Sequence, residues 1–156
     1  MKGNISIYMC YKENSVFLKE ENRDGYIVSA LMKKVWAVEL DLLSELDRVC
    51  KKYNIKYYAA FGTLLGAVRN KGFIPWDDDI DVCMLRDDYA KFKEVAKNEF
   101  GGKYYYQDWY NSCGRTWIFS KLRNSETTAI EYPEKPKEFN QGIFIDIFPI
   151  DEFNDG

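Results

Sequence analysis

The sequence predicts a mixed α/β or α+β domain, with a mixed sheet flanked by helices, and three observations support this class. Segments with a helical hydrophobic period alternate with short segments rich in aromatic and β-branched residues. The last third of the chain contains strand-like segments only, and no repeat or interdomain linker interrupts the order. The 156 residues, 46% hydrophobic and 30% charged, are typical of one globular domain with its own core.

The first elements are an arm and a long helix. Residues 1–26 show little pattern and end at the turn-like NRDG, so we predict a peripheral N-terminal arm of unknown role. A long amphipathic helix is predicted to begin at Ile27 and to stop at Asn54, because apolar residues recur there at three- and four-residue steps. The predicted core positions of this helix are Leu31, Val35, Trp36, Leu42, Leu43, Leu46, Val49, Cys50 and Tyr53.

The middle of the chain predicts a strand, a turn and a short helix. The segment IKYYAAF, residues 55–61, has strand composition, and Gly62 and Thr63 break it. The following LLGAVRN predicts a short helix. After FIPW, the segment DDDIDVCML contains a strand in which apolar and acidic residues alternate.

A second long helix and three strands complete the prediction. The helix DDYAKFKEVAKNEF is expected to be capped by Asp87 and to end at Gly101-Gly102, with Tyr89, Phe92, Val95 and Ala96 on one face. The three strand segments are KYYYQDW, RTWIFSKLRN and QGIFIDIFPI.

The composition excludes several kinds of site. The sequence has no histidine, so a Ser-His-Asp triad, a histidine base and a histidine-ligated metal are excluded. The net charge of −3 without a basic run argues against nucleic acid as a partner. The four cysteines form no C-x-x-C pair and predict reduced, mostly buried thiols of an intracellular protein: Cys10, Cys50, Cys83 and Cys113.

No long apolar stretch and no signal-peptide pattern is found, so we expect no transmembrane segment and a cytoplasmic location. Carboxylates, lysines, hydroxyls and a hard metal remain for catalysis.

Four acidic residues, Asp77, Asp78, Asp79 and Asp81, occupy five positions directly before an apolar strand. Like charges at this spacing destabilise one another unless a cation is present. In a strand, Asp79 and Asp81 would point to one face about 6.6 Å apart, where they can bind Mg²⁺, or Mn²⁺ in its place. Such ions stabilise displacement at phosphorus. Asp77 and Asp78 are expected to lie outside the metal shell or in solvent.

A calcium loop and a solvated turn are the alternatives to a Mg²⁺ site at this acidic cluster. A calcium loop beginning at Asp77 fails, because Val82 occupies the position that needs glycine and Asp88 the position that needs glutamate. A solvated acidic turn without a metal stays open.

Three further segments supply candidate site residues. Gly62-Thr63, between a strand and a helix, can bind phosphate through free N–H groups and the threonine hydroxyl, or can be an ordinary turn and N-cap. Asp146, in the apolar GIFIDIFP, is a third carboxylate that binds the metal or acts as a base, or else an aspartate paired with a lysine or backbone donors. Lys121 can balance diphosphate charge or be a surface charge.

Three residues near the acidic cluster are weaker candidates. Arg69 and Lys71 are further cations that can balance phosphate charge or lie in solvent. Trp76 can stack on a base or a sugar, or pack as an ordinary aromatic residue.

The run GTLLGAVRNKGFIPWDDDIDV, with RDDYAKF and GIFIDIFPID after it, resembles the LicD family, relatives of fukutin in the nucleotidyltransferase superfamily. The resemblance extends from about Leu31 to the end of the chain. It implies a polymerase-beta-like nucleotidyltransferase fold in a catalytic domain of residues 27–156. It also implies a phosphate-binding turn at Gly62 and Thr63 and a carboxylate set at Asp79, Asp81 and Asp146. Because family members are usually longer, a C-terminal extension is expected to be missing.

The resemblance also implies a function. Family members are associated with Mg²⁺-dependent transfer of a phosphorylated alcohol, such as phosphocholine, from a CDP-linked donor to a hydroxyl of a glycan or lipid-linked glycan. Teichoic acid and lipopolysaccharide are examples of the acceptor, and a peripheral location at the inner membrane face would suit it. Two alternatives stay open: transfer of a nucleoside monophosphate onto a sugar phosphate or protein, and an inactive domain that only binds nucleotide or glycan.

Overall fold

The computed structural model describes residues 16–112 and 118–152 of the chain. Within these ranges the elements, in chain order, are β1 (Glu21–Arg23), β2 (Tyr26–Val28), α1 (Ala30–Tyr53), β3 (Tyr58–Ala59), α2 (Phe61–Arg69), β4 (Asp81–Leu85), α3 (Arg86–Glu99), β5 (Tyr104–Gln107), β6 (Ser120–Asn124) and β7 (Phe144–Ile150). The first fifteen residues of the predicted arm, Cys10, Cys113 and the beginning of the strand predicted at 115–124 lie outside the described residues.

The described strands form a two-stranded hairpin and a five-stranded sheet with the order β3-β4-β7-β6-β5. Strands β4 and β7 are parallel, whereas β3–β4, β7–β6 and β6–β5 are antiparallel. The predicted mixed sheet flanked by helices is therefore confirmed.

The end of the predicted arm is a β-hairpin, which the sequence pattern did not predict. Strands β1 and β2 pair from Glu21 opposite Val28 to Arg23 opposite Tyr26. The turn predicted at NRDG is confirmed, since Asp24 and Gly25 both have positive φ, as tight hairpin turns require. Three-residue strands are too short to show an alternating pattern, which is why the hairpin was missed.

Helix α1 begins three residues later than predicted. The Ser29 side chain accepts a hydrogen bond from the Met32 N–H at 3.1 Å and so caps the helix. The predicted stop at Asn54 is confirmed, because this residue has the left-handed φ of 52°. The predicted core position Leu31 is wrong: its side chain is 72% exposed. Trp36, Leu42, Leu46 and Val49 are fully buried, as predicted.

Strand β3 is shorter than predicted because helix α2 begins earlier. Ala60 is already the N-cap of α2, so Gly62 and Thr63 lie in the first helical turn rather than in a break before it. Phe61, the first residue of α2, has a φ of 42°, a strained value for a residue with a Cβ.

Helix α3 is not capped by Asp87. The helix begins at Arg86 after the N-cap Leu85, which makes no side-chain capping bond, and Asp87 lies inside the first turn. A negative charge there still stabilises the helix through its dipole. The helix ends at Glu99, next to the predicted glycine stop, and Tyr89, Phe92 and Ala96 are buried as predicted.

The core lies between one face of the sheet and the helices α1 and α3, which also contact each other. Its buried members include Leu42, Leu46, Val49, Val82, Met84, Phe92, Leu122, Ile145 and Ile147. Because side chains alternate along a strand, the residues directly next to these core positions in β4, β6 and β7 point to the opposite face. This opposite face therefore carries Asp81, Lys121, Arg123 and Asp146.

Cys50 and Cys83 are buried free thiols, as predicted. None of the helices within residues 16–112 and 118–152 combines the length and the apolar character that crossing a bilayer requires.

Candidate active site

The parallel pairing of β4 and β7 brings two predicted carboxylates together. Asp81 and Asp146 are Cα partners in register, and the Asp146 N–H donates to the Ile80 carbonyl at 2.9 Å. Both side chains lie on the sheet face opposite the helices. The pairing thus forms the centre of a carboxylate site from residues far apart in the sequence.

Lys121 lies beside this pair. It is opposite Asp146 in the β6–β7 register, and its Nζ lies 2.9 Å from Asp146 Oδ1 and 3.5 Å from Glu131 Oε1. The side chain is only 3% exposed and also contacts the Phe144 ring. The sequence left open that Asp146 is simply an aspartate paired with a lysine, and Lys121 is such a partner. The predicted role of Lys121 in phosphate binding stays a prediction.

Arg123 and Glu131 are part of the same polar network, and neither was predicted from the sequence. Arg123 is 0% exposed and donates to Gln107 Oε1 at 2.5 Å, the Gly142 carbonyl at 2.8 Å and Glu131 Oε2 at 2.9 Å. These bonds fix Glu131 beside Lys121. The two cations two positions apart in a strand-like run, SKLRN, were the only sequence signal for this network.

The acidic segment, residues 77–79, lies before strand β4 and not partly within it as predicted. Strand β4 begins at Asp81, so Asp79 lies in the preceding segment, and the prediction that Asp79 and Asp81 are alternate residues of one strand is wrong. The ladder with β7 begins at Asp81 opposite Asp146, so Asp79 lies outside it although β7 itself starts at Phe144. Carboxylate oxygens of Asp77, Asp78 and Asp79 lie within 4.8 Å of one another, so the segment itself concentrates charge.

Trp36 of α1 anchors the acidic segment. Its Nε1–H donates to the Asp77 carbonyl at 2.8 Å, and its ring stacks on Phe73 at 4.5 Å between centroids. The Asp77 N–H in turn donates to the Ile74 carbonyl at 3.0 Å. The position of the acidic segment is therefore set by the long helix as well as by the sheet.

The site disfavours negative charge in the absence of a cation. Burial raises the pKa of Asp81 to about 7, and the charges of Asp79, Asp146 and Asp77 act in the same direction. Burial also raises the pKa of Asp146 to about 6, although the Lys121 ammonium opposes this rise. The pKa of Asp79 is raised by burial and by Asp77 and Asp78. A divalent cation would relieve this repulsion.

Glu39 is a further carboxylate at this site that was not predicted from the sequence. Burial raises its pKa to about 9, and the acidic side chains of Asp79, Asp78, Asp77 and Asp81 add to the rise. The sequence held a signal for it: Glu39 follows Trp36 by three residues and precedes Leu42 by three, which places it on the buried face of α1.

Helix α2 connects to the carboxylates through Thr63. The Asp81 N–H donates to Thr63 Oγ1 at 2.8 Å, which leaves the hydroxyl hydrogen of Thr63 available to another acceptor. The N-cap Ala60 provides no side-chain bond, and the first turn of a helix has N–H groups without intrahelical acceptors. These groups make the start of α2 suited to an anion.

Gly62 lies close to the side chain of Asp77. A Cβ at this position would lie 2.6 Å from Asp77 Oδ2. We expect Gly62→Ala to displace the Asp77 carboxylate and to weaken Mg²⁺ binding several-fold, while alanine raises local helix propensity by up to about 1 kcal/mol. Calorimetric Mg²⁺ titration and thermal melts measure the two effects.

Gly101→Ala is the control for this variant, because a Cβ there meets nothing within 4 Å. Unchanged Mg²⁺ affinity in Gly62→Ala would show that Asp77 does not need its present position.

Two cavities flank the acidic segment, and Asp79 lines both. The larger, about 470 Å³, lies between α1, the acidic segment and residues 128–131, and its polar lining residues include Glu39, Asp78, Thr128 and Glu131. The smaller, about 140 Å³, is mainly apolar and is lined by Gly62 and Thr63 among others.

The weaker candidates lie on the surface. Arg69 bonds to the Asn70 side chain, and Lys71 donates to the Val68 carbonyl at 3.0 Å. Trp76 is exposed and meets the Tyr26 ring edge-on at 5.8 Å. Their predicted roles stay predictions.

The mixed sheet flanked by helices, with carboxylates at the start of its parallel strand pair, is a nucleotidyltransferase-like fold. Residues 54–155 match the family described as LicD/FKTN/FKRP, nucleotidyltransferase domain. The chain belongs to this family, and the resemblance drawn from the central motif is confirmed.

Individual relatives agree with this assignment. The chain is 54% identical to the lipopolysaccharide cholinephosphotransferase LicD of Haemophilus influenzae over 56 residues, which are 36% of this chain and 21% of that protein. It is 34% identical to uncharacterized protein RP689 of Rickettsia prowazekii over 119 residues, 75% of this chain and 44% of the relative. It is 24% identical to the mouse ribitol 5-phosphate transferase FKRP over 101 residues, which are 65% of this chain and 18% of that protein. The chain spans less than half the length of each of these relatives.

Proposed function

We propose that the chain is a Mg²⁺-dependent phosphotransferase, with Mn²⁺ as a possible substitute, that moves a phosphorylated alcohol from a CDP-linked donor to a glycan hydroxyl. The observation that supports the proposal is the pairing of Asp81 with Asp146 in the β4–β7 register, where burial and the charge of Asp79 raise the pKa of both carboxyls. The names of two relatives, a cholinephosphotransferase and a ribitol 5-phosphate transferase, support an alcohol phosphate as the transferred group.

The residues present fit a hard divalent cation. The donors are carboxylate oxygens, which Mg²⁺ prefers. Those of Asp77, Asp78 and Asp79 lie within 4.8 Å of one another, and burial and the charges of Asp79 and Asp146 raise the pKa of Asp81. Asp79, Asp81 and Asp146 would hold the ion. When bound, Mg²⁺ neutralises phosphate charge and stabilises the charge that develops during transfer at phosphorus.

The chain's own groups bind and orient the two substrates. The N–H groups at the start of α2, together with the Thr63 hydroxyl, bind the donor phosphates next to Asp81. The cavity of about 470 Å³ beside Asp78 and Asp79 has the volume of a small-molecule site and gives room for the donor.

Asp146 is the group that can take the proton of the acceptor hydroxyl. Without a metal, burial raises its pKa above the ordinary aspartate value, which makes it a stronger base than an exposed aspartate. Lys121 Nζ, 2.9 Å from Asp146 Oδ1, stabilises the ionised form and fixes its position. An acceptor carried on a lipid would bring the chain to the cytoplasmic face of a membrane as a peripheral protein.

Product analysis tests the proposal. The chain is incubated with Mg²⁺ and CDP-choline or CDP-ribitol in the presence of lipopolysaccharide or teichoic acid, and in parallel with nucleoside triphosphates and sugar phosphates. Release of CMP with labelled acceptor supports the proposal. Release of pyrophosphate would instead support nucleotidyl transfer, which uses the same carboxylates.

Binding measurements test the remaining alternative, a domain that binds nucleotide without catalysing transfer. Calorimetry with CDP-choline, with and without Mg²⁺, shows whether the chain binds the donor at all. Metal-dependent binding without turnover would favour a domain that only binds nucleotide, and absence of binding by the native chain would overturn the donor assignment.

A further inference from the structure

Glu39 is a buried carboxylate without a compensating partner among the described residues. Its side chain is 1% exposed, and its Oε2 has no hydrogen-bond partner in that part of the chain. Asp41, on the same helix and also buried, shows the normal arrangement: its Oδ2 lies 2.7 Å from Lys103 Nζ and accepts from the Tyr104 hydroxyl at 3.0 Å. A buried carboxylate that lacks such a cation or such donors is destabilised as an ion and is neutralised by a proton or by a cation from outside the chain.

The surroundings of Glu39 point to a cation that comes from outside the chain. Glu39 lines the cavity of about 470 Å³ together with Asp78 and Asp79, and the charged groups that act on it most strongly are acidic. The buried lysines of the described residues have other acidic partners: Lys33 Nζ lies 2.8 Å from Glu21, and Lys121 Nζ lies 2.9 Å from Asp146.

We propose that Glu39 is a further ligand of the divalent cation site and acts with Asp78 and Asp79 on the side of the larger cavity. This inference rests on the proposed function, since it extends the carboxylate set of Asp79, Asp81 and Asp146. Asp79 belongs to both groups, because its charge acts on Glu39 as well as on Asp81 and Asp146. Helix α1 thereby contributes directly to the metal site.

Glu39→Gln tests the inference. The amide has nearly the same shape but is a much weaker cation ligand, so a glutamate with a purely structural role would tolerate the change. We expect the Mg²⁺ dissociation constant, measured by calorimetry, to rise on the order of tenfold or more. The rise in melting temperature that Mg²⁺ produces in the native chain should shrink in parallel.

Asp41→Asn is the matched control, because it neutralises a buried carboxylate of α1 that has its own lysine partner. It is expected to lower the melting temperature without changing the Mg²⁺ dissociation constant.

Nuclear magnetic resonance on the native chain tests the role of Glu39 without any variant that would have to fold. With glutamate labelled at the carboxyl carbon, substoichiometric Mn²⁺ should broaden the Glu39 resonance before that of Glu45, an α1 residue paired with Arg48. Equal Mg²⁺ affinity in Glu39→Gln, or equal broadening of the two resonances, would overturn the role of Glu39 alone. Absence of any saturable Mg²⁺ binding by the native chain would overturn the proposed function and this inference together.

Discussion

Replacement of Asp81 by asparagine is expected to lower phosphotransfer by about 10³-fold or more and, without metal, to stabilise the fold at alkaline pH. Transfer at phosphorus depends almost entirely on positioning and on charge stabilisation, so the loss of one central carboxylate affects the rate strongly. Asp81 is central because it is the register partner of Asp146 and its N–H is bound by Thr63.

The effect on stability follows from the direction of the pKa shift. Burial raises the pKa of Asp81 to about 7 in the folded chain, well above its ordinary value, so ionisation opposes folding. The folded state therefore loses stability as pH rises from the ordinary aspartate pKa of 3.8 to about 7. Asparagine cannot ionise, so the stability advantage of Asp81→Asn should be absent below about pH 4, grow between about pH 4 and 7, and stay level at higher pH.

Thermal melts in EDTA at a series of pH values measure this difference, and excess Mg²⁺ should reverse its sign by stabilising the native chain only. Asp87→Asn is the control, because Asp87 is exposed in the first turn of α3. An Asp81→Asn variant that retains transfer activity would exclude Asp81 from the metal site.

Replacement of Lys121 by methionine has the second largest expected effect. Methionine keeps the apolar stem but leaves Asp146 buried without the ammonium group 2.9 Å away. Removal of one partner of a buried ion pair lowers stability by about 3–5 kcal/mol. Urea denaturation measures this loss.

Lys103→Met provides a matched lysine–aspartate pair, because Lys103 Nζ lies 2.7 Å from Asp41 but is itself partly exposed. The loss there should be smaller, because the Tyr104 hydroxyl still donates to the Asp41 carboxylate at 3.0 Å. The double variant Lys121→Met with Asp146→Asn should recover most of the lost stability without recovering activity.

The same variant distinguishes two roles of Lys121. If Lys121 binds the donor phosphates, as predicted from the sequence, Lys121→Met raises the KM for the donor and leaves stability nearly unchanged. If it positions Asp146, stability and kcat fall, and the KM for the donor changes little.

Periodic features were predicted well, whereas caps and strand pairing were not. The helical period from Trp36 to Tyr53 and the left-handed stop at Asn54 are local properties, and the structure confirms them. The start of α1 was misplaced because the Ser29 cap, rather than the apolar pattern, sets the first helical residue. The β1–β2 hairpin was missed because each strand is only three residues long.

The sequence identified a candidate site residue where a charged residue stands among apolar neighbours. Asp146 was singled out because a carboxylate in an apolar strand needs a partner, and the structure supplies that partner as Lys121. Arg123 and Glu131 escaped notice, because a strand arginine and a loop glutamate are ordinary surface residues until a long-range contact buries them.

The sequence by itself determined a mixed α/β domain and a chemistry without histidine, because none of the 156 residues is histidine. It also placed four aspartates directly before an apolar strand. The tertiary structure decided which carboxylates meet. The parallel pairing of β4 with β7 joins Asp81 to Asp146, and the packing of α1 brings Glu39 to Asp78 and Asp79. Local patterns specify helices and strands, whereas contacts between distant segments depend on the pairing and packing of the whole chain.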